Sequence, residues 1–414
     1  MSGELRRSLP ALSAAVPVVI VYFAVLGIVL AAAGPNGLDL DAGQTSAWIA
    51  LLYGWPTLLA LVLTLRYRQP LLLTGNIFAI IFFVTLGDRL TFPELAGAAI
   101  VAGAILLPLS LFGAADRIAA WIPPPIVQGL IAGVVLPFVV NVFSALSTSR
   151  RGHELPLDVP LMVGAALLAY LLTQRFLAPR IPPILPAFVA GILVAAVTGQ
   201  LGAFPSSFTL PGLDVIRPEF SWTAIVTATP VLVALLTVPS NIPSMIFMRG
   251  QGFDPPERVV YVVSAAGTIA GSFFGPVAVS LALPPVLLTA GPGAGERSIR
   301  YRSVLLPVAV GLGIALFAST AADLAVLVPS VLLLSMAGLA LIGALIAALK
   351  GIAAGPLTLG PVVAFAVALS DMTVLGISSL FWSLVLGVAV SALVEREAWR
   401  KLRDPGVGEG STGA

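Results

Sequence analysis

Two stretches of this chain put polar and helix-breaking residues inside otherwise apolar sequence. The first reads Gln69-Pro70-Leu71-Leu72-Leu73-Thr74-Gly75-Asn76-Ile77-Phe78, and the second Gly275-Pro276-Val277-Ala278-Val279-Ser280-Leu281-Ala282-Leu283-Pro284-Pro285. Pro70 and Gly75 disfavour a continuous helix. Leu71 to Thr74 is therefore expected to run extended, with a half-helix starting near Asn76, a good N-cap residue. Proline belongs in a first helical turn, where its missing N–H costs nothing, so the second half-helix is expected to start just after Ser280. Two half-helix N-termini that meet would offer unpaired N–H groups and two positive dipole ends, which is an anion site without a basic side chain. The plainer alternative is a pair of kinked helices packed in a bundle. The candidate binding residues here are Thr74, Gly75, Asn76, Ser280 and Leu281. Phe78 is placed to stack on an aromatic substrate, although packing in the core is the commoner role for such a residue. A third cluster, Thr237-Val238-Pro239-Ser240-Asn241-Ile242-Pro243, adds Ser240 and Asn241. Polar groups at the end of an apolar run need a protein-lined or wet environment, or else form a helix-ending turn.

The surrounding chain identifies the medium. Of its 414 residues, 58% are hydrophobic and 10% charged, against roughly 25% charged in soluble domains. Apolar runs recur from residue 11 to residue 394, many long enough for a hydrocarbon core of about 30 Å. Helices satisfy their own backbone in lipid, and the runs lack the alternation of barrel strands. The first run, 11–33, exceeds a signal peptide's apolar core and is read as a retained span. There is no cysteine and one histidine, His153, which falls in an external loop. Metal-ligand spacing, a catalytic triad and a phosphate-cradling loop are absent, so neither an enzyme nor a primary pump is expected, and no metal or cofactor. No charged residue falls in the middle of a span, and Asp88, Asp323 and Asp371 lie at span ends as solvated caps. A proton carrier in the membrane is therefore not expected.

The expected spans are 11–33, 45–65, 70–86, 93–113, 121–145, 157–175, 181–200, 222–238, 258–273, 276–290, 302–320, 325–348, 354–370 and 374–394. With a cytoplasmic N-terminus, 17 of the 21 basic residues fall inside, leaving only Arg89, Arg150, Arg151 and Arg217 outside. That skew supports an even number of spans, about fourteen, with both termini in the cytoplasm.

The fifth and twelfth spans share a pattern: Pro124, Ile126, Ala132, Gly133 and Leu136 recur as Pro329, Val331, Ala337, Gly338 and Leu341, each pair 205 residues apart. The Ala-Gly pairs would let neighbouring backbones approach closely. Chance is the competing explanation in so apolar a chain. If the match is real, two seven-span halves are inverted, and the same offset relates the third and tenth spans, the two broken ones. Broken segments at repeat-related positions point to a midplane binding site. The units are then 1–200 as the first repeat, 201–221 as an external linker, 222–394 as the second repeat and 395–414 as a cytoplasmic tail.

Taken in order, several stretches resemble the benzoate–proton symporter family of bacterial membrane proteins. They are Leu65-Arg66-Tyr67-Arg68-Gln69-Pro70, Ile122-Pro123, Ala132-Gly133, Ser240-Asn241-Ile242-Pro243, Gly291-Pro292, Arg300-Tyr301, Ala337-Gly338-Leu339-Ala340-Leu341, Leu375-Gly376-Ile377 and Phe381-Trp382. The resemblance covers nearly the whole chain. It implies a fold like uracil and sulfate permeases: a core domain of spans one to four and eight to eleven, and a gate domain of the rest. Spans three and ten are then strand-plus-half-helix elements. Where the family has Trp-Ser-Thr-Pro-Gly, Ser-Gln-Asn and Asn-Leu-Ala, this chain has Leu73-Thr74-Gly75-Asn76, Pro239-Ser240-Asn241 and Ser280-Leu281-Ala282. The expectation is an all-α polytopic inner-membrane protein, a secondary transporter of a small anion such as benzoate working by an elevator-like shift. An anion channel on the same scaffold is the alternative. The expected partners are the anionic substrate and the bilayer, with no nucleic acid, and a homodimer through the gate domain stays open.

Overall fold

The computed structural model describes residues 3–35, 37–113, 121–150, 153–154, 157–177, 183–202, 210–212, 215–370, 372–375 and 377–403. The first half runs α1 (Gly3–Ala33), α2 (Ala42–Tyr67), β1 (Leu73–Gly75), α3 (Ile77–Leu86), α4 (Phe92–Leu111), α5 (Pro124–Ser144), the hairpin β2 (Ser149–Arg150) and β3 (His153–Glu154), α6 (Asp158–Phe176) and α7 (Ile184–Val197). The second half runs α8 (Trp222–Leu236), a π turn (Thr237–Asn241), α9 (Ile242–Gly250), α10 (Glu257–Gly271), β4 (Val279–Leu281), α11 (Leu283–Thr289) and a 3-10 helix (Arg297–Val304). It continues through α12 (Leu305–Leu316), α13 (Ala318–Leu327), α14 (Ser330–Ala354), α15 (Leu359–Leu369), the hairpin β5 (Thr373–Val374) and β6 (Ile377–Ser378), α16 (Ser379–Val394) and α17 (Arg396–Arg403).

Among the described residues, eight helical stretches are long and apolar enough to cross a membrane, and four shorter apolar helices accompany them. With α10 and the broken β4–α11 segment these make fourteen crossings in a seven-plus-seven inverted repeat. In one bundle α4 packs on α8 and α10 while α2 packs on α12 and α13; in the other α5 runs along α14 and α15, and α15 along α16. These are the core and the gate.

The small residues shared by the two halves explain the gate packing. A Cβ on Gly338 would strike the carbonyl of Phe138 in α5, and one on Gly133 would lie 2.5 Å from Ala368 Cβ in α15. Glycine permits both approaches.

Four boundaries differ from the sequence expectation. The eighth span does not stop at 238; it continues as one apolar stretch from Trp222 to Gly250 through the π turn. Residues 318–327, divided above between two spans, form the separate helix α13, because Pro329 disfavours helix in the residue before it and α14 starts only at Ser330. The last span begins at Ser379 rather than 374, after the β5–β6 hairpin. The tenth-span half-helix starts at Leu283, two residues later than expected, with Ala282 as its N-cap. The 201–221 segment carries no helix or strand among its described residues.

Just after α16, Glu395 closes the N-terminus of α15. Its carboxylate accepts from the N–H groups of Thr358 (2.7 Å), Leu359 (2.9 Å) and Gly360 (3.1 Å), and from the Ser391 hydroxyl (2.9 Å). Burial pushes this carboxyl up, but the three N–H groups and the hydroxyl outweigh it and hold it at about 2, below its ordinary 4.5. The folded carboxyl is thus more acidic than the unfolded one. Its stabilisation is complete above pH 4.5 and is lost as pH falls towards 2. Glu395→Gln should lower stability by about 1–2 kcal/mol at neutral pH. Melting curves in detergent should show the two proteins converging below pH 4.5, whereas a constant gap would mean that the carboxylate's charge is not what caps α15.

Candidate functional site

The broken segments cross at the centre of the core. β1 and β4 pair antiparallel with Leu73 opposite Leu281, Thr74 opposite Ser280 and Gly75 opposite Val279. The Asn76 N–H continues the ladder to Ala278 O at 2.8 Å. The pairing is symmetric about Thr74 and Ser280, so locally the repeat offset is 206, one more than between α5 and α14. The second segment is pinned from outside: the Trp48 indole donates to Pro276 O (2.9 Å) and the Val279 N–H to Thr268 Oγ1 (2.9 Å).

Asn76 caps α3, its Oδ1 accepting from the Ala79 N–H at 3.1 Å. Its amide nitrogen donates to Leu235 O (3.1 Å), Ser240 Oγ (2.9 Å) and Ser280 Oγ (3.0 Å). Pro239 accounts for the first of these. A helix would bond Leu235 O to the N–H of residue 239, and proline has none. The chain relaxes into a π turn, and the freed carbonyl takes the Ser240 hydroxyl (2.8 Å) as well as Asn76. Asn76 thereby ties together spans three, eight and ten while only 4% exposed.

Two corrections follow. Asn76 and Ser280 are not equivalent half-helix starts: the counterpart of Asn76 is Ala282, and Ser280 lies in the strand with its hydroxyl on Asn76. The two half-helices also differ as anion sites. In α3 the N–H groups of Ile77 and Phe78, at the first two positions, have no partner among the described residues. In α11 the second and third positions are Pro284 and Pro285, so Leu283 alone offers a free N–H.

A cavity of about 640 Å³ lies between core and gate. Thr74, Gly75, Asn76, Phe78, Ser240 and Ser280 reach its wall. Asn241 and Leu281 do not. The Asn241 side chain is 1% exposed, accepting from the Leu281 N–H at 2.7 Å and reaching Ser264 Oγ at 3.4 Å, and the Leu281 side chain is fully buried in the core. Asn241 thus braces β4. The lining also includes Tyr22 and Thr57 of the core and Gln128 and Tyr170 of the gate, none of them among the residues expected from the sequence. The available signal was a neutral polar residue within an apolar span. Among the described residues no Asp, Glu, Lys, Arg or His lines this cavity. Asp88 is exposed and Asp323 half-buried, both off the wall, and Asp371 lies outside the described residues. No group of three or more residues suited to a metal occurs among the described residues.

An inverted-repeat bundle with two half-helices crossing beside a cavity is the architecture of a multi-pass membrane transporter. Residues 6–393 match the benzoate membrane transport protein family, and the chain belongs to it. The chain is 25% identical over 375 residues to the benzoate membrane transport protein of Acinetobacter baylyi, covering 88% of this chain and 92% of that one. It is 27% identical over 358 residues to the inner membrane protein YdcO of Escherichia coli, covering 84% and 87%. In fold it resembles the transmembrane domain of the cyanobacterial bicarbonate transporter BicA, with TM-score 0.57, 16% identity and coverage of 92% and 95%. It also resembles the murine Slc26a9 anion transporter in its inward-facing state, with TM-score 0.61, 14% identity and coverage of 94% and 68%. The family is one of membrane transport proteins and not of enzymes.

Proposed function

We propose that the protein is a secondary transporter of a small anion, an aromatic or other carboxylate such as benzoate, and that the core shifts against the gate to carry it. The observation that carries this reading is the set of unpaired N–H groups of Ile77, Phe78 and Leu283, set at half-helix N-termini beside a large, mainly apolar cavity. Such groups bind a carboxylate without a counter-charge, and the apolar walls suit a ring. Family membership and the benzoate transport for which the Acinetobacter baylyi relative is named support the carboxylate. In this reading 1–200 and 222–394 are the two repeats, 201–221 the external linker and 395–414 the tail, with both termini cytoplasmic. The cavity lining reaches Pro183 at the start of α7 and Ala347 near the end of α14, the ends that the basic residues place inside, which fits an inward-facing state.

The uncharged cavity wall favours transport without protonation of a buried carboxylate, and it supports a second reading, an uncoupled anion pathway on the same scaffold. Uptake of labelled benzoate into proteoliposomes separates the two. Protein orientation is read from labelling of a single cysteine at position 397, the native chain having none. The expected result is saturable uptake, inhibited by other carboxylates and nearly indifferent to an imposed pH gradient, with the cysteine on the cytoplasmic side. Flux linear in concentration would indicate the channel, strong stimulation by a proton gradient would reveal a carrier, and no uptake would overturn the benzoate reading.

A further inference from the structure

The gate brings to the cavity a polar side chain that the network around Asn76 leaves out. Gln128 of α5 is half-buried and lines the cavity. Among the described residues its amide has no hydrogen-bond partner, and neither amide atom is sealed in the packing. The stem is held from behind. A Cβ on Gly351 of α14 would lie 2.9 Å from Gln128 Cγ and 3.3 Å from Gln128 Cδ, so the side chain rests on bare backbone. A primary amide carries two N–H donors, and both remain available to whatever the cavity holds.

Its position relative to the anion site follows from α3 and α5. Phe78, the second residue of α3, and Ile131 of α5 line the cavity together and also share a smaller apolar pocket beside it. Gln128 precedes Ile131 by three residues, so it lies on the same face of α5, about 4.5 Å nearer the helix start. The basic residues place the start of α5 inside and the end of α3 outside. The N–H groups of Ile77 and Phe78 point back along α3, so they open towards the side on which Gln128 lies. An anion held by those N–H groups then lies between them and the Gln128 amide. We infer that Gln128 is a substrate-binding residue supplied by the gate, its amide donating to the carboxylate that the α3 N–H groups hold. The inference rests on the carboxylate reading above. A hydrogen bond to an ionised acceptor is stronger than one between neutral groups. The half-helix donors belong to the core and Gln128 to the gate, so the carboxylate bridges the two bodies in this state, and the bond parts when the core moves.

Calorimetric titration of the purified protein with benzoate tests it. Gln128→Leu keeps most of the bulk and removes the donors, and should weaken benzoate binding roughly tenfold. Gln128→Glu should weaken it at least as much near neutral pH, because two carboxylates then face each other. Two carboxylates sharing a site hold one proton between them, and a protonated Glu donates as Gln does. The benzoate affinity of Gln128→Glu should therefore recover as pH falls from about 8 to about 5.5, while that of the wild type stays flat. Among the described residues the titratable groups of the lining are the phenols of Tyr22, Tyr53 and Tyr170, which stay neutral over that range. A role confined to packing on Gly351 would give no such recovery. Gln128→Glu carries the test if Gln128→Leu is unstable. Wild-type affinity in Gln128→Leu, or a loss in Gln128→Glu that does not change with pH, would overturn the Gln128 contact and leave the half-helix site standing. Failure of benzoate to bind the wild type would overturn the carboxylate reading and the contact with it.

Discussion

Thr74→Glu should abolish anion binding, lowering affinity by at least 100-fold. Thr74 is half-buried on the cavity wall, opposite Ser280 and three residues before the free N–H of Ile77. A carboxylate placed about 5 Å from a bound anion, at an effective dielectric constant near 20, repels it by about 3 kcal/mol, which is more than two orders of magnitude in affinity. The new carboxylate can also turn onto the N–H groups and occupy the site itself. Thr74→Gln adds the same length without charge and should cost less than tenfold, so the pair separates charge from bulk. Ser280 is a poorer position for this test, because it is 1% exposed and bonded to Asn76, and a longer side chain there would break the network as well as repel the anion. Titration with benzoate and uptake by proteoliposomes give the readout. Full uptake by a well-folded Thr74→Glu protein would mean that the substrate is not an anion, or that it binds elsewhere.

The framework around this position was legible because helices are interrupted for reasons written in single residues. Pro70 and Gly75 mark the break, and Asn76 does cap α3. The tenth span differs from the expectation because its half-helix has no polar cap. A cap side chain bonds the N–H groups of the second and third helical positions. In α11 both are prolines, so a polar cap would have nothing to bind, and Ala282 serves. The π turn was harder to foresee. Pro239 shows that Leu235 must lose its helical partner, but whether the chain ends, kinks or bulges depends on what receives the carbonyl. Here the recipients are the Ser240 hydroxyl and the Asn76 amide, 159 residues away in sequence. Tyr22 and Gln128 are not legible in the sequence for a different reason: neutral polar residues do not disturb an apolar run, and only the packing of α1 and α5 brings both to one cavity.

Asn76→Ala should be among the most destabilising single substitutions in the core, and more damaging than the loss of a helix cap alone. The cap bond to the Ala79 N–H is worth about 0.5–2 kcal/mol. The amide nitrogen has two hydrogens for three acceptors, Leu235 O, Ser240 Oγ and Ser280 Oγ, so the three bonds are shared and amount to about two, near 1 kcal/mol each. Together these give about 2–4 kcal/mol, a large part of a typical stability of about 5–15 kcal/mol. Ser280→Ala removes one acceptor and should cost about 1 kcal/mol. Asn76→Asp separates the two functions, because it keeps an acceptor for Ala79 but donates nothing when ionised. Its melting temperature in detergent should fall between those of the wild type and Asn76→Ala. Uptake should fall in both variants, since spans three, eight and ten lose their common tie and the Ile77 and Leu283 N–H groups lose their mutual alignment. An Asn76→Ala protein that melts with the wild type would mean that the β1–β4 ladder alone holds the two half-helices together, and that the Asn76 network follows from the crossing instead of setting it.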